Sequence, residues 1–237
     1  MDTKDITYPI DGTTYTGYLA DGARGKLAPG ILVCHQGNGL TDHTKERARM
    51  LAELGYVAFA LDMYAEVATS MAQAMSLVAG LVQDPPLLHK RANAGLDVLK
   101  AQPSTDTSRL AAIGFCFGGG VVLELARTNP ELACVVAFHP GLTRLPEKDD
   151  RQVHGKVMAC AGALDPLIPP VARQRFIDLM TTAGADWQLL TYGHAGHGFT
   201  DRSVDALNMP GFRYDAPTDR RSWAAMRHLF DEAMGPV

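Results

Sequence analysis

The chain has 237 residues, of which 46% are hydrophobic and 20% charged, and its net charge is −4. This length suits the core of one large α/β domain spanning 1–237. The balance carries no basic patch, so nucleic acid is not an expected partner.

Met1-Asp2-Thr3-Lys4-Asp5 contains no apolar leader, and the longest uncharged run, residues 67–83, is interrupted by Thr69, Ser70, Gln73, Ser76 and Gln83. Neither a secreted precursor nor a membrane protein is expected. Cys34, Cys134 and Cys160 sit in apolar, strand-like runs without the paired spacing of a disulfide framework or a zinc site. The reducing cytoplasm is the expected location.

In chain order, residues 6–8 and 15–19 flank Asp11-Gly12 and predict an opening hairpin. Short β-rich runs at 31–35 and 57–61 enclose a helix over 42–54 that stops at Gly55. A Met-rich amphipathic stretch covers 70–82, and Pro85-Pro86 opens a helix towards Lys100. Then come a strand at 111–115, a helix from 121, strands at 135–139 and 157–161, a helix over 171–183, a strand at 188–192 and a last helix over 220–234. The charged stretch 147–151 is read as a solvated surface turn. Alternation of this kind predicts a mostly parallel sheet with helices on both faces and an N-terminal antiparallel hairpin.

The chemistry concentrates at Gly114-Phe115-Cys116-Phe117-Gly118, between a strand and a helix. Glycines two before and two after a nucleophile let the chain turn sharply, and the side chain at the apex projects into a cleft. The following helix sets its N-terminal amides beside the sulfur, which favours thiolate. Asp165, in Ala163-Leu164-Asp165-Pro166, and His197, in Gly196-His197-Gly198-Phe199, follow two later strands. The order nucleophile, acid, histidine is that of the α/β-hydrolases. His194 competes with His197, and Asp62 is a second candidate acid, read as structural.

The chain resembles the dienelactone hydrolase family. The resemblance rests on Gly-Phe-Cys-Phe-Gly-Gly at 114–119, Gly-Tyr at 55–56 followed by Val-Ala-Phe-Ala-Leu-Asp-Met-Tyr, Ala-Leu-Asp at 163–165, and Gly-His-Gly-Phe at 196–199. It implies a cofactor-free, metal-free hydrolase with a single-domain α/β-hydrolase fold. Cys116 would be the nucleophile, His197 its general base and later acid, and Asp165 the group that orients the imidazole. The amides of Phe117 and Gly37 would form the oxyanion hole. His35, Gln36, Met63, Tyr64, Met71, Met75, His139, Phe199 and Arg202 would line the pocket.

Two departures bear on the substrate. The family usually carries a glutamate where Gln36 stands, and a neutral amide cannot hold that charge beside the thiol. Family members that act on dienelactone hold its carboxylate with arginines after the fourth strand and four residues past the histidine. Here no Arg lies between Arg49 and Arg91, and the second position is Asp201, with Arg202 displaced by one.

Sulfur chemistry narrows the choice further. Thiolate leaves more readily than alkoxide, so an adduct on Cys116 reverts unless the departing oxygen is also a stable anion. Enol lactones and aryl esters meet that condition. The expected partner is a small-molecule ester or lactone, without a membrane, on a monomer or homodimer. The alternatives are an enzyme that also takes aryl phosphotriesters and a non-turnover ligand or redox sensor.

Overall fold

The structure, a computed structural model, describes residues 1–142 and 151–237. It begins with the hairpin that Asp11-Gly12 demands: both residues take positive φ, +50° and +79°, the primed-turn geometry whose twist matches its flanking strands. β1 (Asp2–Ile10) and β2 (Thr13–Asp21) pair antiparallel with Ile10 opposite Thr13.

The elements that follow are β3 (Ala28–Cys34), α1 (Asp42–Glu53), β4 (Val57–Ala60), α2 (Met71–Val82), α3 (Pro85–Lys100), β5 (Thr105–Phe115), α4 (Phe117–Thr128), β6 (Leu132–Phe138), β7 (Lys156–Gly162), α5 (Pro170–Thr182), β8 (Trp187–Tyr192) and α6 (Ala216–Met234). The eight strands are ordered β1-β2-β4-β3-β5-β6-β7-β8. β3 pairs parallel with β4, as does β7 with both β6 and β8. This is the expected α/β class, a mostly parallel sheet with an antiparallel N-terminal hairpin and helices packed around it. No helix among the described residues is long and apolar enough to cross a membrane.

Two compact units make up the chain, Met1–Ile113 with Pro236–Val237, and Gly114–Gly235. In the first, every residue of β3 and β4 is buried, which is why both runs are continuously apolar instead of alternating. Phe59 of β4 is fully buried and meets Tyr8 edge-on at 5.9 Å. A Cβ at Gly17 would lie 2.2 Å from the Phe59 ring, so only glycine leaves room for that ring. Ser70 and Asp84 cap α2 and α3 by accepting from the Gln73 and Leu87 amides.

In the second unit, β6 and β7 are almost wholly buried, while the edge strand β8 alternates between exposed and half-buried positions. α4 packs on β6, α6 on β6 and β7, and α5 on β8.

Several boundaries differ from expectation, and one element was not expected. β5 starts at Thr105, six residues early, because its first half is polar and partly exposed and carries no apolar signal. α6 starts at Ala216, where Asp215 caps it by accepting from the Thr218 amide. A 3-10 helix over Arg202–Leu207, opened by Asp201, has no apolar period to announce it. Of the stretch 147–151, only Arg151 lies within the described residues, and it pairs with Glu124 at 3.3 Å.

Truncation of the buried Phe59 removes a ring and leaves a cavity, a change that costs about 3–5 kcal/mol. Phe59→Ala should lose that much stability in denaturant titration, with little change in m-value.

Candidate active site

β5 delivers the chain into Cys116, whose backbone sits at φ +52°, ψ −110°, a region that L-residues adopt only under constraint. The constraint is visible on both sides. A Cβ on Gly114 would lie 2.0 Å from the Gly118 carbonyl oxygen, and one on Gly119 would lie 2.9 Å from the Pro140 side chain. The Cys116 amide donates to the Phe138 carbonyl at 3.0 Å, and its own carbonyl accepts from Gly119 at 3.1 Å. The apex is therefore held between strand and helix, with Phe117 as the first residue of α4. An amide in that position has no partner within its own helix.

Asp165 and His197 are brought together by backbone packing between two loops. The turn after β7 gives its Ala163 and Leu164 amides to the carbonyls of Tyr192 and Ala195, at 2.9 and 3.0 Å. Gly162 and Gly196 permit the approach: a Cβ on the first would lie 2.4 Å from the Ala195 oxygen, and one on the second 2.2 Å from the Gly211 oxygen. The His197 amide donates to Gly211 at 2.7 Å, and its carbonyl accepts from Arg213 at 3.1 Å.

In this frame His197 Nδ1 meets Asp165 Oδ2 at 2.8 Å, with side-chain exposures of 4% and 0%. The other Asp165 oxygen accepts from the Leu167 amide at 2.8 Å. Because Nδ1 is taken, the ring faces Cys116 through Nε2, and a side-chain hydrogen bond joins the two residues. Burial opposes the charged imidazole, yet the charge of Cys116 and the hydrogen bonds to Asp165 and Cys116 outweigh it and push the His197 pKa up to about 10.

His194, the competing histidine, is exposed. Asp62, the competing acid, is spent on the turn after β4: Oδ1 accepts from Tyr64 and Ala65 at 2.9 and 3.0 Å, and Oδ2 from Thr16 at 3.2 Å. The remaining cysteines are free and buried. Burial raises the thiol pKa of Cys34, and against the lowering effect of a hydrogen bond with Tyr192 it pushes that of Cys160 up to about 12.

The expected lining residues divide by exposure. His35 is fully buried and acts as a clasp, Nδ1 donating to the Gln36 carbonyl at 2.6 Å and Nε2 accepting from the Met63 amide at 3.1 Å. Met63, His139 and Phe199 are also fully buried, whereas Met71 and Met75 are exposed on α2. His139 holds Thr200 at 2.8 Å and sets its ring 5.2 Å from that of His197. Gln36 is buried with its amide nitrogen 3.5 Å from His43 Nδ1. Tyr64 packs edge-on against His35 at 4.8 Å, and Gly37 lies in the loop after β3. The Arg202 guanidinium lies 4.6 Å over the Tyr214 ring.

Two features escaped the sequence. Arg91 of α3 donates to the Met63 carbonyl at 2.6 Å, so a guanidinium does reach the segment after β4, from a helix nearly thirty residues later. Phe212 packs 5.0 Å from the His197 ring and lines an open groove of about 430 Å³ with Asp205, Asn208, Met209, Pro210 and Arg213. Only the Pro210-Gly211 turn hinted at a constrained segment there.

Against known proteins, the model of the dienelactone hydrolase family matches residues 16–234. A Methylorubrum extorquens protein to which carboxymethylenebutenolidase activity is ascribed is 28% identical over 95% of this chain and 79% of its own. A solved structure named m3DLH is 42% identical, covers 98% of both chains and superposes with a TM-score of 0.93. A dienelactone hydrolase-like promiscuous phosphotriesterase from metagenomic libraries is 39% identical over 99% of both chains, with a TM-score of 0.92.

The raised imidazolium pKa makes stability depend on pH. The folded protein holds this proton to about pH 10 and the unfolded chain only to about 6.5, so the linked stabilisation is complete below 6.5 and lost as pH rises through 10. The Tm advantage over His197→Gln should therefore shrink between pH 7 and 10. A constant difference across that window would contradict the assignment.

Proposed function

Because this chain belongs to the dienelactone hydrolase family, hydrolases of lactones and esters, we propose that it cleaves activated carboxylic esters and lactones through a thioester on Cys116. The observation that carries this reading is His197 standing between Asp165 at 2.8 Å and Cys116. Cys116 is the nucleophile, His197 the proton carrier and Asp165 the group that fixes the ring with Nδ1 protonated.

The resting thiolate attacks the acyl carbon, and charge develops on the former carbonyl oxygen beside the amide of Phe117 at the start of α4. Gly37 is the family-implied second donor. Collapse expels the enolate or aryloxide, which takes the proton from His197 Nε2 and leaves the thioester. Water then gives a proton to Nε2 as it attacks the thioester carbon, and expulsion of the thiolate releases the acid. A leaving oxygen already stable as an anion is needed because the thiolate otherwise departs first.

A second reading is favoured by the similarity to a promiscuous phosphotriesterase at 39% identity. Attack at phosphorus in a neutral aryl triester makes the same three demands: an activated nucleophile, a donor for developing oxygen charge and a good leaving group.

With p-nitrophenyl esters, Cys116→Ala should abolish turnover and His197→Ala should lower kcat about 10²- to 10⁴-fold. Asp165→Asn should lose as much or less. Stopped-flow traces should show release beyond one equivalent, whereas a burst that ends at one equivalent would make the protein a covalent sensor. A p-nitrophenyl phosphotriester in the same assay should release more slowly, with a phosphorylated Cys116 visible by mass spectrometry.

A neutral aryl ester should show higher kcat/KM than its carboxylate-bearing analogue, because the Arg202 guanidinium is engaged over Tyr214. Preference for the anion, removed by Arg202→Ala, would instead make Arg202 a carboxylate partner.

A further inference from the structure

The turn that presents Asp165 has its amides and its carbonyls committed in different directions. Its amides at Ala163 and Leu164 reach the loop of His197, as described above. Its carbonyls at Gly162 and Ala163 point to α5, where a single nitrogen, Arg173 Nη2, donates to both, at 2.9 and 3.1 Å. The Gly162 oxygen also accepts from the Asp165 amide at 3.3 Å. The guanidinium thus grips the hydrogen bond that closes the turn two residues before the carboxylate.

The placement of Arg173 is itself built. Pro169 caps α5 and Pro170 opens it, so the first helical position carries no orphan amide, and Arg173 donates its backbone amide to the Pro169 carbonyl at 3.2 Å, one turn into the helix. The side chain is partly buried, and among the described residues nothing accepts from its buried Nε. An unpaired buried donor destabilises the fold. A shorter or neutral side chain would avoid that cost, but it would leave both carbonyls without their donor. Charge-assisted bonds to two carbonyl oxygens are stronger than neutral ones, and the planar guanidinium loses less freedom per bond than an ammonium does.

We propose that Arg173 is a positioning residue for the acid of the site: by holding the Gly162 and Ala163 carbonyls it fixes Asp165 at hydrogen-bonding distance from His197. The inference rests on the triad reading and deepens it. The Arg173 side chain holds backbone carbonyls and not Cys116, so its effect passes through the Asp165–His197 bond. Loosening that bond withdraws a stabilising partner from the imidazolium, and the Cys116 thiolate paired with it becomes harder to form.

The test uses Arg173→Gln, too short and uncharged to grip both carbonyls, and Arg173→Lys, which restores a charge without the planar fork. Three quantities are read in the full-length protein: kcat and KM with a neutral p-nitrophenyl ester, the pH midpoint of Cys116 alkylation by iodoacetamide, and Tm. Arg173→Gln should lower kcat about tenfold with KM within twofold, and should move the alkylation midpoint upward by at least half a pH unit. Arg173→Lys should fall between the two proteins in both respects.

A Gln variant with wild-type kcat and an unmoved alkylation midpoint overturns the proposal, whatever its Tm. If the Gln variant does not fold, Arg173→Lys decides: a loss of threefold or more in kcat with a raised midpoint supports it, and wild-type values overturn it. Alkylation needs no turnover, so absence of ester hydrolysis in the wild type would end the hydrolase reading while still leaving Arg173 to be judged by the midpoint.

Discussion

One strained residue organises the site. Cys116 occupies φ +52° without being glycine, at a cost of roughly 1–3 kcal/mol that the surroundings must offset. They do so with close contacts that only glycine permits at 114 and 119, and with a hydrogen bond from the Cys116 amide to the Phe138 carbonyl. The strain has a product: the sulfur is raised at the mouth of α4, where the helix dipole favours negative charge.

Around that residue, electrostatics separate groups that the sequence makes look alike. His35 and His197 both follow strands and both are buried. In His35 burial dominates and lowers the pKa, and the neutral ring works as a clasp between the Gln36 carbonyl and the Met63 amide. In His197 the charge of Cys116 and the bonds to Asp165 and Cys116 overcome burial. Asp62 and Asp165 divide in the same way: the first gives both oxygens to backbone amides, while the second keeps one for an imidazole.

The same geometry bears on substrate choice. Gln36 carries no charge and approaches His43, so the glutamate usual in the family has no counterpart at that position. The guanidinium that meets the segment after β4 comes from Arg91 and is spent on the Met63 carbonyl and on stacking over Tyr15 at 5.3 Å. Arg202 is spent on Tyr214. Cations stand near the family's arginine positions, and each makes contacts within its own unit, which is the basis for proposing a substrate without a carboxylate.

The sequence by itself determined the α/β class, the opening hairpin and the candidate triad, because these rest on local signals: alternation of apolar runs, a turn that needs two positive φ values, glycines spaced about a cysteine, and an acid and a histidine just past strands. It missed the polar first half of β5 and the 3-10 helix, where backbone pairing forms without an apolar period. It favoured His197 over His194 and read Asp62 as structural from local context alone. The tertiary structure adds where these groups sit: His194 is exposed and His197 buried, and both Asp62 oxygens accept from backbone amides while one Asp165 oxygen meets the His197 ring. Arg173 was invisible because its role consists of contacts with the carbonyls of Gly162 and Ala163, and those contacts exist only once the chain has folded.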